Sequence, residues 1–289
     1  MSGSVLITGA SSGIGAACAA RMAELGFQVF AGVRNFADGE ALTSGTVGGK
    51  ITPVLIDVTD CDSIGSARDT IAACVGDSGL NGLVNNAGVV VSGPLELLSR
   101  DEMQRQLDVN VLGPIAVTQA MLPLLRKAGG RIVNMSSISG LLAMPLLGPY
   151  AASKFALEAI SDSLRMELRS CHVKVVLVEP GVVSTPIWKK HEAQAARMFV
   201  DLPDELPAVV AANYKRLLAG LQNSASLSAV PPQRVANVVA RALTAQRPRS
   251  RYVVGWDARL LNLLLRPLPT FIRDRLVIMA LRRLGKHKN

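Results

Sequence analysis

The sequence predicts an α/β fold: one doubly wound parallel sheet of about seven strands, with helices on both faces. Short apolar stretches alternate along the chain with longer segments whose apolar residues recur at helical spacing. The strands are apolar throughout, which indicates that both faces of the sheet are covered. Glycine or polar motifs follow four of these stretches at their ends, where ligands bind in such sheets.

The elements follow from these patterns in chain order. Strands are predicted near residues 5–8, 28–33, 52–56, 82–85, 131–135, 174–179 and 251–254. Helices are predicted near residues 15–25, 62–75, 101–127, 150–169 and 232–245. We expect residues 1–255 to form one domain that includes a helical substrate lid at about 186–229, and residues 256–289 to extend it as an apolar, basic helical segment.

Composition excludes several classes of protein. Hydrophobic residues make up 49% of the 289 residues but aromatic residues only 4%, so the core is expected to be aliphatic. Four scattered cysteines and three histidines predict buried free thiols and no metal site. No leader-like segment precedes the first strand, and no 18-residue apolar stretch lacks a charge. A cytoplasmic location without a spanning helix is therefore expected.

A glycine-rich turn directly follows the apolar run Val5-Leu6-Ile7. Gly9 permits the turn, Gly13 allows a ligand to approach the backbone, and Gly15 allows a helix to pack closely on the strand. Such a turn aims the N–H groups of a helix N-terminus at a pyrophosphate. An ordinary strand-to-helix loop is the alternative for these glycines alone.

Tyr150 and Lys154 form a second motif, in Gly-Pro-Tyr-Ala-Ala-Ser-Lys. Side chains four residues apart share one face of a helix. An ammonium beside a phenol favours the phenolate, so we expect the pKa of Tyr150 to fall below its usual value of about 10. A tyrosine tuned in this way serves general acid–base catalysis. A solvated helix face is the alternative for this pair taken alone.

Together with three further motifs, these residues resemble the short-chain dehydrogenase/reductase family from about Ser4 to Thr185. The further motifs are Asn85-Asn86-Ala87-Gly88, the set Asn110, Ser137, Tyr150 and Lys154, and Pro180-Gly181 followed by Thr185. Gly26 to Arg34 and the apolar C-terminus resemble the retinol and hydroxysteroid dehydrogenase branch. The resemblance implies a Rossmann-type fold, a nicotinamide cofactor and hydride transfer without a metal.

The resemblance also assigns roles to the catalytic set. Ser137 would donate a hydrogen bond to the substrate oxygen, Tyr150 would transfer the proton, and Lys154 would assist the phenol and bond the nicotinamide ribose. Asn110 would hold a water that connects Lys154 to solvent. Because Asn110 falls inside a predicted helix, where asparagine is unfavourable, a local distortion of that helix is expected.

Cofactor choice depends on the end of the second strand. An acidic residue there would bond the ribose diol, but Val33 and then Arg34 stand at this place. NADP(H) is therefore favoured; NAD(H) stays open because Arg34 can also stack on adenine or lie in solvent. Asp57 and Val58 resemble the family's adenine contact, although Asp57 can equally cap a helix. The predicted cofactor residues are Gly9, Ser11, Ser12, Gly13, Ile14, Gly15, Arg34, Asp57, Val58, Asn86, Ala87, Gly88, Tyr150, Lys154, Pro180, Gly181, Val183 and Thr185.

The substrate is predicted to be a lipophilic small molecule, such as a steroid, a retinoid, or a fatty or aromatic ketone or alcohol. The segment between Ser137 and Tyr150 is apolar, although about half of its leucines can belong to the core. The predicted substrate residues are Ser137, Leu142, Met144, Leu147, Tyr150 and Trp188.

The basic C-terminal segment leaves two interpretations open. Its helices can pack over the substrate site or another subunit, or they can lie in a membrane interface as a peripheral contact. The net charge of +9 forms no stripe with aromatic residues, so nucleic acid is not expected as a partner, and a homo-oligomer (a dimer or a tetramer) is. The sequence thus predicts an NADP(H)-dependent oxidoreductase, with a non-catalytic dinucleotide-binding regulator or scaffold of the same fold as the alternative.

Overall fold

Seven parallel strands form one sheet at the centre of the computed structural model, which describes residues 3–43, 50–185 and 206–285. The strands are β1 (Ser4–Ile7), β2 (Gln28–Val33), β3 (Ile51–Leu55), β4 (Gly82–Asn85), β5 (Arg131–Met135), β6 (Lys174–Pro180) and β7 (Arg251–Val254). Their order is β3-β2-β1-β4-β5-β6-β7, with every neighbouring pair parallel. The predicted doubly wound sheet is confirmed, and its direction of growth reverses between β1 and β4.

Helices cover both faces of the sheet. They are α1 (Gly13–Glu24), α2 (Phe36–Thr43), α3 (Cys61–Val75), α4 (Arg100–Leu107), α5 (Gly113–Ala128), α6 (Gly148–Glu167), α7 (Ala208–Ser228), α8 (Pro232–Thr244), α9 (Trp256–Leu264) and α10 (Thr270–Leu284). Val5 and Ile7 of β1 belong to the apolar cluster with α1 and α8, whereas Leu6 belongs to the cluster with α3 and α5. This alternation is the two-residue period of a strand buried on both sides.

The structure contains one helix that the sequence analysis did not predict and the local distortion that it expected in another. Helix α2 was not predicted, because its eight residues follow β2 without a clear apolar period. The helix expected at 101–127 is divided by a π-turn at Asp108–Leu112, which contains Asn110. The expected distortion at Asn110 is therefore present, and π-turns of this kind occur often at functional sites.

The whole helical stretch Arg100–Ala128 is long and apolar enough to cross a membrane by length and composition. It nevertheless packs against the sheet in this fold, since Val117, Met121 and Leu125 are buried in one of the two core clusters. We therefore describe it as a core helix.

The cysteines correct another expectation. All four are free, but only Cys18 is buried, where burial raises its pKa to about 12. Cys61 and Cys74 are exposed, because they lie at the start and on the outer side of α3, and Cys171 is half-buried.

The C-terminal segment forms two helices, separated by Pro267 and Pro269. One face of α10 packs on α7 so closely that a Cβ added to Gly220 would lie 2.2 Å from the carbonyl oxygen of Leu281. The Asn223 side chain donates a hydrogen bond to the carbonyl of Leu284 at 2.8 Å. Helix α7 forms the C-terminal part of the predicted lid, and residues 186–205 lie outside the described residues.

Two helical glycines provide a matched test of the packing of α1 on β1. A Cβ on Gly15 would lie 2.2 Å from the carbonyl oxygen of Gly9, whereas a Cβ on Gly65 in α3 would meet nothing within 4 Å. We expect Gly15→Ala to lower the free energy of unfolding by roughly 1–3 kcal/mol through overpacking. Gly65→Ala should raise it by about 0.5–1 kcal/mol through helix propensity.

Urea denaturation of the two variants and the wild type measures both changes. Equal effects of the two substitutions would contradict the close contact at Gly15.

Candidate active site

The turn between β1 and α1 is the first part of the site along the chain. Gly9 and Gly13 have φ angles of 63° and 57°, in the left-handed region that favours glycine. Ser12 precedes α1 but makes no side-chain capping hydrogen bond, so its side chain satisfies none of the first N–H groups of the helix. The Asn86 amide fixes the turn from the other side by donating to the carbonyls of Thr8 and Gly9 at 3.0 and 3.1 Å.

A cavity of about 870 Å³ runs along the carboxyl ends of the strands. Every predicted cofactor residue except Gly15 lines it, and so do Asn110 and Ser137. Gly15 lies behind the turn, against the backbone of Gly9 and Ala10. The lining also includes residues that were not among the predicted site residues: Gly32, Val33, Ile56, Thr59, Val89, Val90, Asp101, Gln104, Arg105, Asp108, Val109, Met135 and Ser136.

Asn110 clamps the loop that follows β4. Its side-chain oxygen accepts a hydrogen bond from the Val89 N–H at 2.9 Å, and its amide nitrogen donates to the Val89 carbonyl at 3.0 Å. The same nitrogen lies 3.2 Å from the Ser153 hydroxyl of α6. Because the π-turn widens the helix here, the buried asparagine finds these partners within the protein.

Gln106 supports the same loop and was missed in the sequence. It is fully buried, accepts from the Val91 N–H at 2.6 Å and donates to the Val89 carbonyl at 2.9 Å. Its position four residues before Asn110, on the same helical face, was the available signal.

Ser137, Tyr150 and Lys154 meet at the wall of the cavity. Ser137 follows β5, where its hydroxyl caps a short 3₁₀ turn by accepting from the Ser139 N–H at 3.1 Å. The Lys154 ammonium donates to the carbonyl of Met135 at 2.8 Å and lies 5.7 Å from the centre of the Tyr150 ring. Tyr150 and Lys154 are both buried, with exposed fractions of 9% and 7%.

Burial sets the pKa values of this pair. It raises the pKa of Tyr150 above its ordinary value, and a hydrogen bond with Ser137 opposes part of that rise. The expected fall in the Tyr150 pKa is therefore not found, because removing the phenolate from water outweighs its favourable contacts. Burial also lowers the pKa of Lys154 to about 8, while the charge of Glu158 acts in the opposite direction.

The far end of the cavity is bordered by the ends of β2 and β3. Val33 is buried and Arg34 is exposed at the cavity edge. Asp57 accepts hydrogen bonds from the N–H and hydroxyl of Thr59 at 2.9 and 2.7 Å. These bonds and the nearby Arg34 charge lower the pKa of Asp57, against a smaller opposing effect of burial. The cap of α3 is Asp60, not Asp57.

The surroundings of Tyr150 are apolar. Val90, Leu147 and Tyr150 form one buried cluster, with Met144 and Leu221 packed against it. Two predicted substrate residues, Met144 and Leu147, thus lie in the cluster around Tyr150. Leu142 is buried, and Leu142, Met144 and Leu147 all lie outside the residues that line the cavity. Trp188 lies outside the described residues.

Comparison with known proteins agrees with this geometry. Residues 4–196 match the family model described as short chain dehydrogenase. The chain is 38% identical over 284 residues to mouse retinol dehydrogenase 5, covering 96% of this chain and 89% of that protein. It is also 38% identical over 256 residues to 3-amino-tetrahydro-pyrrolizinone reductase of Xenorhabdus hominickii, covering 89% of this chain and 88% of that protein.

One similar solved structure is that of a metagenomic short-chain oxidoreductase in complex with NADP. It has a TM-score of 0.67 and 28% sequence identity, and the match covers 88% of this chain and 96% of that one. From the family match and the curated relatives, this chain belongs to the short-chain dehydrogenase family of oxidoreductases.

Proposed function

We propose that this protein is an NADP(H)-dependent oxidoreductase that interconverts a lipophilic alcohol and its carbonyl compound. The observation that carries the proposal is the meeting of Ser137, Tyr150 and Lys154 on the wall of the cavity that the Gly9–Gly13 turn also lines. The cofactor, when bound, supplies or accepts the hydride at the carbonyl carbon. The protein's own residues supply the proton, the charge and the apolar surroundings.

Proton transfer is assigned to Tyr150. A buried phenol with a raised pKa is protonated at neutral pH, so it can donate to a carbonyl oxygen. Ser137, already hydrogen bonded with Tyr150, would orient the same oxygen. Lys154 carries its charge below its pKa of about 8, where it stabilises negative charge that develops on the phenol oxygen. Asn110 is a positioning residue, since it fixes the loop at Val89.

The cavity suits a dinucleotide phosphate. Gly9 packs closely on the loop after β4, since a Cβ there would lie 2.8 Å from the Cα of Ala87, so the turn requires a glycine at this position. The N-terminus of α1, uncapped by Ser12, offers N–H groups to the pyrophosphate. Arg34 at the edge, together with the apolar Val33, favours a ribose 2′-phosphate. The NADP complex of the similar metagenomic oxidoreductase supports this choice, and NADH stays the second candidate.

The substrate class is inferred from the apolar cluster around Tyr150 and from the relatives. A retinol dehydrogenase is named for a lipophilic alcohol, and a pyrrolizinone reductase for a ring carbonyl compound. Both names fit an apolar site in which Val90, Met144 and Leu147 surround the proton donor.

Two further contacts are part of the proposal. Exposed apolar side chains on α4, the π-turn and α6 favour a homo-oligomer that covers them: Met103, Leu107, Leu112, Phe155 and Met166. The outer surface of α9 and α10 carries exposed Leu263 and Phe271 beside arginines, which favours peripheral contact of a cytoplasmic protein with a membrane.

A non-catalytic dinucleotide-binding regulator is the alternative function. Purified protein incubated with NADPH or NADH and a panel of steroid, retinoid and aryl carbonyls, followed by nicotinamide absorbance, separates the two. Cofactor binding without turnover of any compound in either direction would favour the regulator.

Replacing Tyr150 with Phe removes the proton donor and keeps the ring. We expect turnover to fall at least ~10²-fold, the low end for loss of a general acid–base, with the Kd for NADPH nearly unchanged. The control is Tyr252→Phe, because Tyr252 lies on β7 outside the cavity lining. Turnover of Tyr150→Phe within tenfold of the wild type would remove Tyr150 from this role.

The double variant Val33→Asp/Arg34→Ala tests the cofactor choice. A charge-assisted phosphate contact is worth roughly 1.5–3 kcal/mol, so the ratio of kcat/KM for NADPH over NADH should fall about 10- to 150-fold. Arg100→Ala, an exposed arginine outside the cavity lining, is the control. A wild type that already prefers NADH would overturn the assignment of Arg34.

The outer surface of the C-terminal helices is tested by Leu263→Gln/Phe271→Gln. These side chains are 73% and 75% exposed, so the exchange should leave folding intact and reduce flotation with anionic vesicles. Val209→Gln, at a side chain that is 77% exposed on α7, is the matched control. Size-exclusion chromatography of the same proteins shows whether this surface instead joins subunits. Unchanged flotation and unchanged oligomer size would exclude both contacts.

A further inference from the structure

A buried ionic cluster lies behind the active site, and no step of the mechanism above uses it. Glu158 of α6 and Glu179 of β6 are 6% and 1% exposed. Arg251, the first residue of β7, joins them: its Nε lies 3.2 Å from Glu158 Oε2 and 3.3 Å from Glu179 Oε1. Its Nη2 also donates to Asp162 at 2.7 Å. Burying several charges costs free energy, so such a cluster is stable only where its charges compensate one another.

Glu158 connects this cluster to two parts of the active site. It lies one helical turn after Lys154, on the same face of α6. It also packs under the turn that carries Ser137: a Cβ on Gly140 would lie 3.0 Å from Glu158 Cγ and 2.9 Å from Ser136 Oγ. Glu158 therefore lies directly behind both the ammonium and the Ser137 turn.

Glu158 shares the arginine that binds it with two other carboxylates. Three carboxylates, those of Glu158, Asp162 and Glu179, share Arg251, and Asp162 is also bound by Arg165. Arg266 acts on Glu179 from further away. Glu158 Oε1 is buried and makes no hydrogen bond to a charged group among the described residues, while the Ser136 hydroxyl is a neutral partner of this carboxyl group. The Lys154 ammonium lies one helical turn before Glu158 on the same face, and the Glu158 charge acts on it across that turn.

Titration of the neighbouring groups agrees with this arrangement. The Glu158 charge opposes the effect of burial on Lys154 and so raises its pKa toward the final value of about 8. Burial and the same Glu158 charge raise the pKa of Glu179 to about 7. Glu179 therefore takes up a proton near neutral pH. Burial also raises the pKa of Glu158, against the lowering effects of Ser136 and Arg251, so its carboxylate form depends on these two partners.

We propose that Glu158 is a positioning residue for the reaction, one that sustains the ammonium form of Lys154 and seats the turn that carries Ser137. The proposal rests on the proposed function, because Lys154 and Ser137 have their roles there. Arg251 holds the carboxylate in place from the adjacent strand.

The direct test is a titration of Lys154 by NMR in full-length protein with ¹³C-labelled lysine, without cofactor or substrate. Its signal is assigned by its loss in Lys154→Met. In Glu158→Gln, we expect the proton affinity of Lys154 to fall about tenfold, since a carboxylate one helical turn away is lost at low effective dielectric. Asp162→Asn, an equal change at the exposed end of Arg251, should leave the Lys154 titration near that of the wild type.

The kinetic test is the pH dependence of kcat/KM with NADPH. If loss of the Lys154 proton ends activity at high pH, the alkaline limb should move to lower pH in Glu158→Gln and stay in place in Asp162→Asn. In Glu158→Asp, which keeps the negative charge, the alkaline limb should lie close to its wild-type position. A wild type without turnover would refute the proposed function, while the NMR titration would still decide the role of Glu158.

An unshifted Lys154 titration in a folded Glu158→Gln protein would overturn the proposal and leave Glu158 with a purely structural role. If Glu158→Gln alone fails to fold, Glu158→Gln/Arg251→Met removes both charges of the pair, which proteins tolerate better than an unpaired buried charge. A smaller fall in the proton affinity of Lys154 is expected there, because the loss of the Arg251 cation acts in the opposite direction, and the absence of any fall would refute the proposal.

Discussion

The burial of the Lys154 ammonium is the constraint on which the rest of the site depends. A cation that is only 7% exposed needs compensation from the protein, and the fold supplies it from several elements. The end of β5 offers the carbonyl of Met135 at 2.8 Å, and Glu158 offers a carboxylate along the same helix. The position of α6 over the sheet is therefore fixed by charge as well as by apolar packing, and Tyr150 is positioned with it.

A network of buried amides and hydroxyls fixes the strand ends that face this helix. Asn85 at the end of β4 donates to Asn134 of β5 at 2.8 Å, and Asn134 donates to Ser161 of α6 at 2.8 Å. Asn110, from the π-turn, fixes the adjacent loop. Because each amide bridges two elements, a displacement of one element would leave a polar group without its partner, at a cost of about 1–3 kcal/mol. These hydrogen bonds between elements thus keep the cavity wall in register.

The sequence predicts the sheet and the motifs at the strand ends because these depend on local signals. The strand pattern and the Gly9–Gly15 turn are short-range features, and the convergence of the motifs follows from the parallel topology. The ionic cluster depends on contacts between distant residues: Arg251 is 93 positions from Glu158 along the chain. The spacing of these residues along the sequence does not predict that they meet. The pKa of Tyr150 was mispredicted for a related reason, because the extent of burial is a tertiary property.

The segment before Tyr150 shows how such tertiary constraints reach the site. Leu146 has a φ angle of 65°, a conformation that costs a non-glycine residue about 1–3 kcal/mol. Its carbonyl accepts a hydrogen bond from the Gly93 N–H at 2.8 Å, and its side chain is buried with Leu217 of α7 and with Val277 and Leu281 of α10.

The next residue, Leu147, packs instead against Tyr150 and Val90. One strained backbone step therefore joins the cluster of α7 and α10 to the apolar surroundings of Tyr150. The Gly9 turn follows β1, whose residues Val5 and Ile7 pack with α1 and α8. In this arrangement, the packing of the C-terminal helices bears on the shape of the site that we propose for the substrate.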